Sequence, residues 1–176
     1  MSAKQHLPPY TYCPVCGNSL DIHQPYRQTC THCDFIFYHS SSPCMGALPV
    51  EGSRVLLARR GIEPYRGAWN VVGGFLNYGE EPIAGLMREV EEETGCACRV
   101  LDFITQNADT YGEPGAALLN SYYSVQLLPG NLTPQDDVSE LCWFDLDNLP
   151  DDIPFASDRR ALGVLQRMSG GPARAD

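Results

Sequence analysis

No apolar run in this 176-residue chain approaches the roughly 18 residues that a membrane-spanning helix needs. The first nine residues, Met1 to Pro9, also lack the apolar core of a secretion signal. The sequence therefore predicts neither a membrane span nor export, and the expected location is the cytoplasm. Positive charge is scarce too: 12 Lys and Arg stand against 22 Asp and Glu, a formal charge of -10. That balance disfavours nucleic acid as a partner, because attraction to a polyanion needs the opposite sign. A small phosphorylated substrate would need a divalent cation as mediator. No internal repeat is visible beyond two short cysteine pairs. With 43% of its residues hydrophobic, the chain can bury one core of ordinary size with a small module beside it.

Cysteine is plentiful, at eight residues. Four of them form two C-x2-C pairs, Cys13-Pro14-Val15-Cys16 and Cys30-Thr31-His32-Cys33, with 13 residues between the pairs. This spacing suits two knuckles closing on one tetrahedral zinc ion. Two disulfides would need an oxidising compartment that nothing in the sequence signals. A redox pair needs only one C-x2-C, and no helix follows either pair. His23 and His32 could compete as ligands, but four thiolates already complete the shell. Residues 10–38 are thus expected to form a zinc ribbon of short hairpins whose metal supplies much of its folding free energy. Residues 38–43 read as a linker. Cys44, Cys96, Cys98 and Cys142 fall in apolar, strand-like surroundings and read as small buried residues.

Beyond the linker the periodicities predict strands over Cys44–Pro49, Arg54–Arg59, Asn70–Val72, Val100–Asn107, Leu118–Leu127 and Leu141–Phe144. A helix is expected over Glu81–Thr94, with Pro82 in its first turn and Gly95 as its left-handed stop. At about 100° per residue Glu89, Glu92 and Glu93 share one face, while Ile83, Leu86, Met87 and Val90 share another. Three like charges at this spacing repel unless a cation sits among them, and Mg²⁺ or Mn²⁺ is the hard, oxygen-seeking choice. The run Asn70-Val71-Val72-Gly73-Gly74-Phe75 reads as a buried strand entering a paired-glycine turn, which would let backbone carbonyls approach a metal. Glu80 and Arg88 are expected to pair and orient the acidic face. A last helix is predicted over Asp158–Met168 with Ser157 as N-cap, followed by a flexible tail over 169–176.

Read as a pattern, Gly74, five residues, Glu80, seven residues, Arg88-Glu89-Val90, one residue, Glu92-Glu93, one residue and Gly95-Cys96 resembles the signature of the Nudix hydrolases. Over about residues 10–168 the chain is similar to the NADH pyrophosphatases and to a group of FAD and ADP-ribose pyrophosphatases, in which a zinc ribbon directly precedes the Nudix domain. The resemblance implies an α/β (α+β) fold over 44–168, a mixed sheet with helices on both sides. It also implies hydrolysis of the pyrophosphate bond in a nucleoside diphosphate linked to another moiety, with release of AMP. One to three Mg²⁺ or Mn²⁺ ions would be held by Glu89, Glu92, Glu93 and the Gly74 carbonyl, with Arg88 beside them. Glu89 is the first candidate for orienting or deprotonating the attacking water; in some relatives a later loop supplies the base, and Glu140, Asp136 and Asp137 stand at that place.

The NADH pyrophosphatases carry a Ser-Gln-Pro-Trp-Pro-Phe-Pro tract after this signature. Here residues 105–115, from Thr105 to Gly115, differ from it, whereas Pro154-Phe155-Ala156-Ser157 matches the closing motif of the FAD and ADP-ribose group. FAD or ADP-ribose therefore leads as substrate, ahead of NADH. Tyr65, Tyr78, Tyr111, Tyr122 and Tyr123 are candidates to stack on a base, and Arg59 or Arg66 to meet a phosphate. Trp69 reads as core. A homodimer is a candidate assembly, as in the related NADH enzymes. A nucleotide-sensing regulator whose ribbon binds nucleic acid or protein is the competing class, disfavoured because a sensor has no need of the full set Glu89, Glu92 and Glu93.

Overall fold

The computed structural model of the protein describes residues 10–24, 26–112 and 115–169. Residues 1–9, and the expected tail beyond Ser169, lie outside the described residues. No helix among the described residues is long and apolar enough to cross a membrane.

The first sheet is small and antiparallel, in the order β1 (Leu20–Gln24), β2 (Arg27–Cys30) and β3 (Ile36–Tyr38). It has little apolar core. Phe37 packs edge-on against the rings of Tyr10 and His39, each at 4.8 Å. Buried Gln28 donates to the Tyr10 carbonyl at 2.8 Å and shares a 2.9 Å hydrogen bond with His39 Nε2. A cluster of four sulfurs compensates for the missing core. The Sγ atoms of Cys13, Cys16, Cys30 and Cys33 all lie within 4.8 Å of one another, with Cys13–Cys33 at 3.7 Å and Cys16–Cys30 at 3.5 Å. These are far longer than the roughly 2.05 Å of a disulfide. They approach the edge of about 3.8 Å that a tetrahedron with 2.3 Å zinc–sulfur bonds requires. Backbone N–H groups of His32 and Cys33 donate to Cys30 Sγ at 3.4 Å each and orient the sulfur in the cluster. His23 and His32 are exposed and stand outside the cluster. The four cysteines fit a zinc ribbon.

The linker is shorter than expected, because β3 runs to Tyr38 and β4 (Ser42–Glu51) begins within the stretch read as linker. From there the chain builds a seven-stranded sheet with β5 (Arg54–Arg60), β6 (Trp69–Asn70), β7 (Val72–Phe75), β8 (Cys98–Tyr111), β9 (Ala116–Leu127) and β10 (Val138–Asp145). The strand predicted over Asn70–Val72 divides in two: β6 pairs with β5, and β7 pairs with β4. The main order is β10-β5-β4-β9-β8, and β4–β9 is the parallel pair that makes the sheet mixed. Period-two alternation sends Leu48, Val55, Leu57 and Tyr122 to one core and Met45, Ala47, Ala58 and Val125 to the other. Helix α1 (Pro82–Thr94) closes the second core with Leu86 and Val90, and α2 (Ala156–Ser169) closes the first with Ala161, Leu162 and Leu165. Helices therefore cover both faces. Trp69 is core, and Cys44, Cys96 and Cys98 are buried.

Two expectations about the helices need correction. On α1 the inward face is not Ile83-Leu86-Met87-Val90: Ile83 and Met87 are 40% and 41% exposed, and Gly85, Glu93 and Thr94 are buried with Leu86 and Val90. Residues 86, 90, 93 and 94 follow the i, i+4, i+7, i+8 stripe, so a glutamate occupies a core position. On α2, Ser157 lies inside the first turn rather than before it. Its N–H donates to Asp109 Oδ2 of β8 at 2.8 Å, so a distant carboxylate caps the helix and lets it begin at Ala156.

Asp158 ties α2 to the sheet, accepting from Tyr122 Oη at 2.7 Å and from the Val71 N–H at 3.1 Å. Burial pushes its carboxyl from 3.8 up to about 6, against the hydrogen bonds from Tyr122 and Val71. The folded state thus keeps a proton that the unfolded chain releases at lower pH. The stability from this group is full below 3.8 and is lost as pH rises through about 6. Asp158→Asn is expected to flatten the fall in melting temperature across that window, and a variant with the wild-type slope would remove Asp158 from the effect. For the ribbon, Cys13→Ser should release zinc and lower thermal stability. Metal analysis of the purified variant checks this, and retention of a full equivalent with unchanged melting would count against a zinc site.

Candidate active site

The glycine turn, α1 and the far end of the sheet meet around one cleft. Strand β7 passes so close to β4 that a Cβ on Gly73 would lie 2.1 Å from the Met45 carbonyl oxygen, and Gly73 has φ 133. Only glycine fits there. A Cβ on Gly74 would sit 2.7 Å from Glu89 Oε2, so the missing side chain is what admits that carboxylate.

The three glutamates of α1 reach different surroundings. Glu93 is 5% exposed and accepts the Gly73 N–H at 3.0 Å. Burial pushes its carboxyl well above the usual range, and Asp137, Glu89 and Asp136 add to the rise. Burial also raises Glu89, although the Arg88 guanidinium opposes it. Glu92 is half exposed on the outer rim. Arg88 joins the group: Nη1 donates to Glu89 Oε1 and Glu92 Oε2, each at 2.7 Å, while Nε and Nη2 grip the two oxygens of Glu80 at 2.8 and 2.9 Å. That fork holds the Glu80 carboxyl down at about 2, helped by the Asn77 N–H. The pairing of Glu80 with Arg88 is as the sequence suggested, with the addition that Arg88 also bridges Glu89 and Glu92. Carboxylate oxygens, one of them buried against a single N–H, are the donor set that a hard divalent ion takes. The residues present fit such a metal.

The cleft beside them is lined by Gly73, Gly74, Cys44, Phe75 and Tyr111, and further along by Arg60, Asn120, Asp137, Phe155 and Asp158. Of the substrate candidates, Tyr111 and the buried Tyr122 lie in this lining; Tyr65, Tyr78, Tyr123, Arg59 and Arg66 do not. Strand register explains Arg59: it stands opposite Glu140 on β10, pairs with it at 2.9 Å and lies over the Trp69 ring. The same pairing places Glu140 away from the cleft. Tyr78 projects fully into solvent on the turn ahead of α1, and Arg66 is exposed. The cation that does enter is Arg60. It donates to the Pro64 carbonyl at 2.7 Å and to Tyr111 Oη at 3.3 Å, and lies 5.3 Å over the Phe155 ring. Asp109, Asn120 and Asp158 also enter without any short sequence motif; the doublet Arg59-Arg60 was the one local signal for a cation here.

Comparison with known proteins agrees with this geometry. Residues 41–163 match the sequence model of the NUDIX domain. The chain is 30% identical over 98 residues to a Methanocaldococcus jannaschii protein named ADP-ribose pyrophosphatase, covering 56% of this chain and 58% of that one. It is 30% identical over 141 residues to a Pseudomonas aeruginosa protein named NAD-capped RNA hydrolase NudC, covering 79% and 49%. The chain spans about half the length of these curated relatives. Among solved structures, a Nudix hydrolase from Nitrosomonas europaea superposes with a TM-score of 0.75 at 25% identity, covering 93% of this chain and 96% of that one. A MutT Nudix hydrolase from Burkholderia pseudomallei gives 0.65 at 26% identity over 72% and 98%. With a glycine turn, a carboxylate-bearing helix and a sheet covered on both faces, matched over most of its length, this chain belongs to the Nudix family.

Proposed function

We propose that the protein hydrolyses the pyrophosphate bond of an ADP-linked molecule, ADP-ribose or FAD, and releases AMP. The observation that carries this reading is the placement of Glu89 and Glu93 at the glycine edge of a cleft that also offers aromatic rings and one arginine, with Glu92 tied to Glu89 through Arg88. Glu89, Glu92, Glu93 and the Gly74 carbonyl would hold Mg²⁺ or Mn²⁺. A bound ion would supply charge neutralisation at the diphosphate and make a water there more acidic.

The chain's own residues supply the rest. Glu89, set against Gly74 and held by Arg88, would accept a proton from the attacking water. Asp137, in the cleft lining, is the later-loop acid nearest that role, since Glu140 is engaged by Arg59. Arg88 spaces Glu89 from Glu92 and fixes both to Glu80. Arg60, aligned by Tyr111 and Pro64, meets a phosphate or the sugar beyond it. Residues 10–38 form a structural zinc ribbon ahead of the catalytic domain at 44–168.

NADH and related nicotinamide dinucleotides are the second reading, favoured by the NudC relatives that cover most of this chain. Against them stands the stretch from Thr105 to Tyr111, which is continuous β8 strand without the proline-rich tract of the NADH enzymes.

Glu92→Gln and Glu93→Gln are each expected to lower turnover by about two orders of magnitude or more, the scale of lost electrostatic stabilisation at a reacting centre, without unfolding the domain. Assays on ADP-ribose, FAD and NADH with Mg²⁺ or Mn²⁺, with products identified by mass, check both the substrate and the site. Wild-type activity in both variants would refute the glutamate assignment.

A further inference from the structure

One row of residues across the sheet is not explained by diphosphate chemistry. In register, Phe75 on β7 stands opposite Cys44 on β4, Cys44 opposite Asn120 on β9, and Asn120 opposite Asn107 on β8. Residues directly opposite in a ladder point to the same face, so these four side chains form one line. Phe75, Cys44 and Asn120 all line the cleft. The small thiol between Phe75 and Asn120 leaves a gap flanked by a ring on one side and a carboxamide on the other. Phe75 is 45% exposed and meets Tyr111 edge-on at 5.8 Å, so the ring side of the gap is a continuous aromatic wall.

The amide side is unsatisfied. The Nδ2 atoms of Asn107 and Asn120 are both buried, with no hydrogen-bond partner among the described residues. A buried N–H without an acceptor is costly, and asparagine is an expensive occupant of a strand unless something uses it. Opposite residues hold their Cβ atoms about 4.5–5.5 Å apart, so half a turn of the Asn120 carboxamide would let its oxygen accept from the Asn107 NH₂, meeting one donor and leaving the Asn120 N–H, beside its carbonyl oxygen, for a ligand in the cleft. That donor–acceptor pair is the complement of adenine, whose N6 amine lies beside the N7 acceptor. Guanine shows two acceptors, O6 and N7, on the same edge.

We infer that Asn120, oriented by Asn107, reads the adenine of the substrate while Phe75 and Tyr111 carry the ring, so that this row sets the choice of ADP-linked over GDP-linked molecules. The inference deepens the reading of the cleft as a site for ADP-linked substrates and rests on it. Asn120 is here a specificity-determining residue and takes no part in the chemical step.

The test is the binding of AMP and GMP to the zinc-loaded full chain by titration calorimetry, with ADP-ribose hydrolysis measured in parallel. Wild type should bind AMP about tenfold or more tightly than GMP, within the range of one amide–adenine contact. Asn120→Leu, which removes both hydrogen-bonding groups, and the nearly isosteric Asn120→Asp, which removes the donor, should each bring that ratio close to one. If the leucine variant does not fold, the aspartate variant decides. Equal binding of AMP and GMP by wild type, or an unchanged ratio in the folded variants, overturns the inference. Loss of the AMP preference in the variants, together with no ADP-ribose hydrolysis by wild type, would leave the adenine subsite standing and sink the hydrolase reading instead.

Discussion

Glu93 occupies a place on α1 where the apolar stripe would ordinarily put another aliphatic side chain. It follows Leu86 and Val90 on the buried face and sends its carboxylate to the N–H of Gly73. One N–H does not repay the desolvation of a carboxylate, and the raised pKa of Glu93 records the deficit. What the contact does is fix the helix to the turn in one register. Gly73 in turn is paired in register with Gly46 on β4, so close that a Cβ on it would lie 2.1 Å from the Met45 carbonyl oxygen. Gly74 is thereby set against Glu89, and the Arg88 fork to Glu80 locks the start of the same helix. The geometry of every acidic group in the site is inherited from a buried carboxylate that a purely structural helix would not keep.

The parts of this arrangement that lie within one local segment were legible in the sequence. Pro82 and Gly95 set the limits of α1 to within a residue, because a fixed φ at the start and a left-handed φ at the end are local properties. The four cysteines were legible for the same reason: the requirement of a tetrahedral ion is expressed in spacing alone. Legibility ended where tertiary pairing decides. Arg59 and Arg60 differ in nothing local, and only the register with Glu140 turns one outward and leaves the other for the cleft. The burial of Glu93 in place of Ile83 or Met87 was hidden because periodicity assumes that buried residues are apolar. The cap on α2 comes from Asp109, 48 residues before Ser157, so the hydroxyl of Ser157 was a plausible but mistaken signal.

The distribution of charge divides the labour of recognition. The cleft lining carries Asp109, Asp137 and Asp158 against Arg60 as its one guanidinium, and α1 adds Glu89 and Glu93 at its edge. The charges of Asp137, Glu89 and Asp136 add to the rise in the pKa of Glu93. A bare diphosphate would meet that same repulsion, so under the proposed function its affinity would come through divalent cations held by the acids. Discrimination between substrates then falls to groups that carry no charge. Under the proposed function any phosphate brought by a cation would satisfy the acidic edge equally well, whereas the rings of Phe75 and Tyr111 and the carboxamide of Asn120 would meet only the organic ends of the molecule. The acidic edge would then select for phosphate with metal, and the neutral wall among the molecules that bring it.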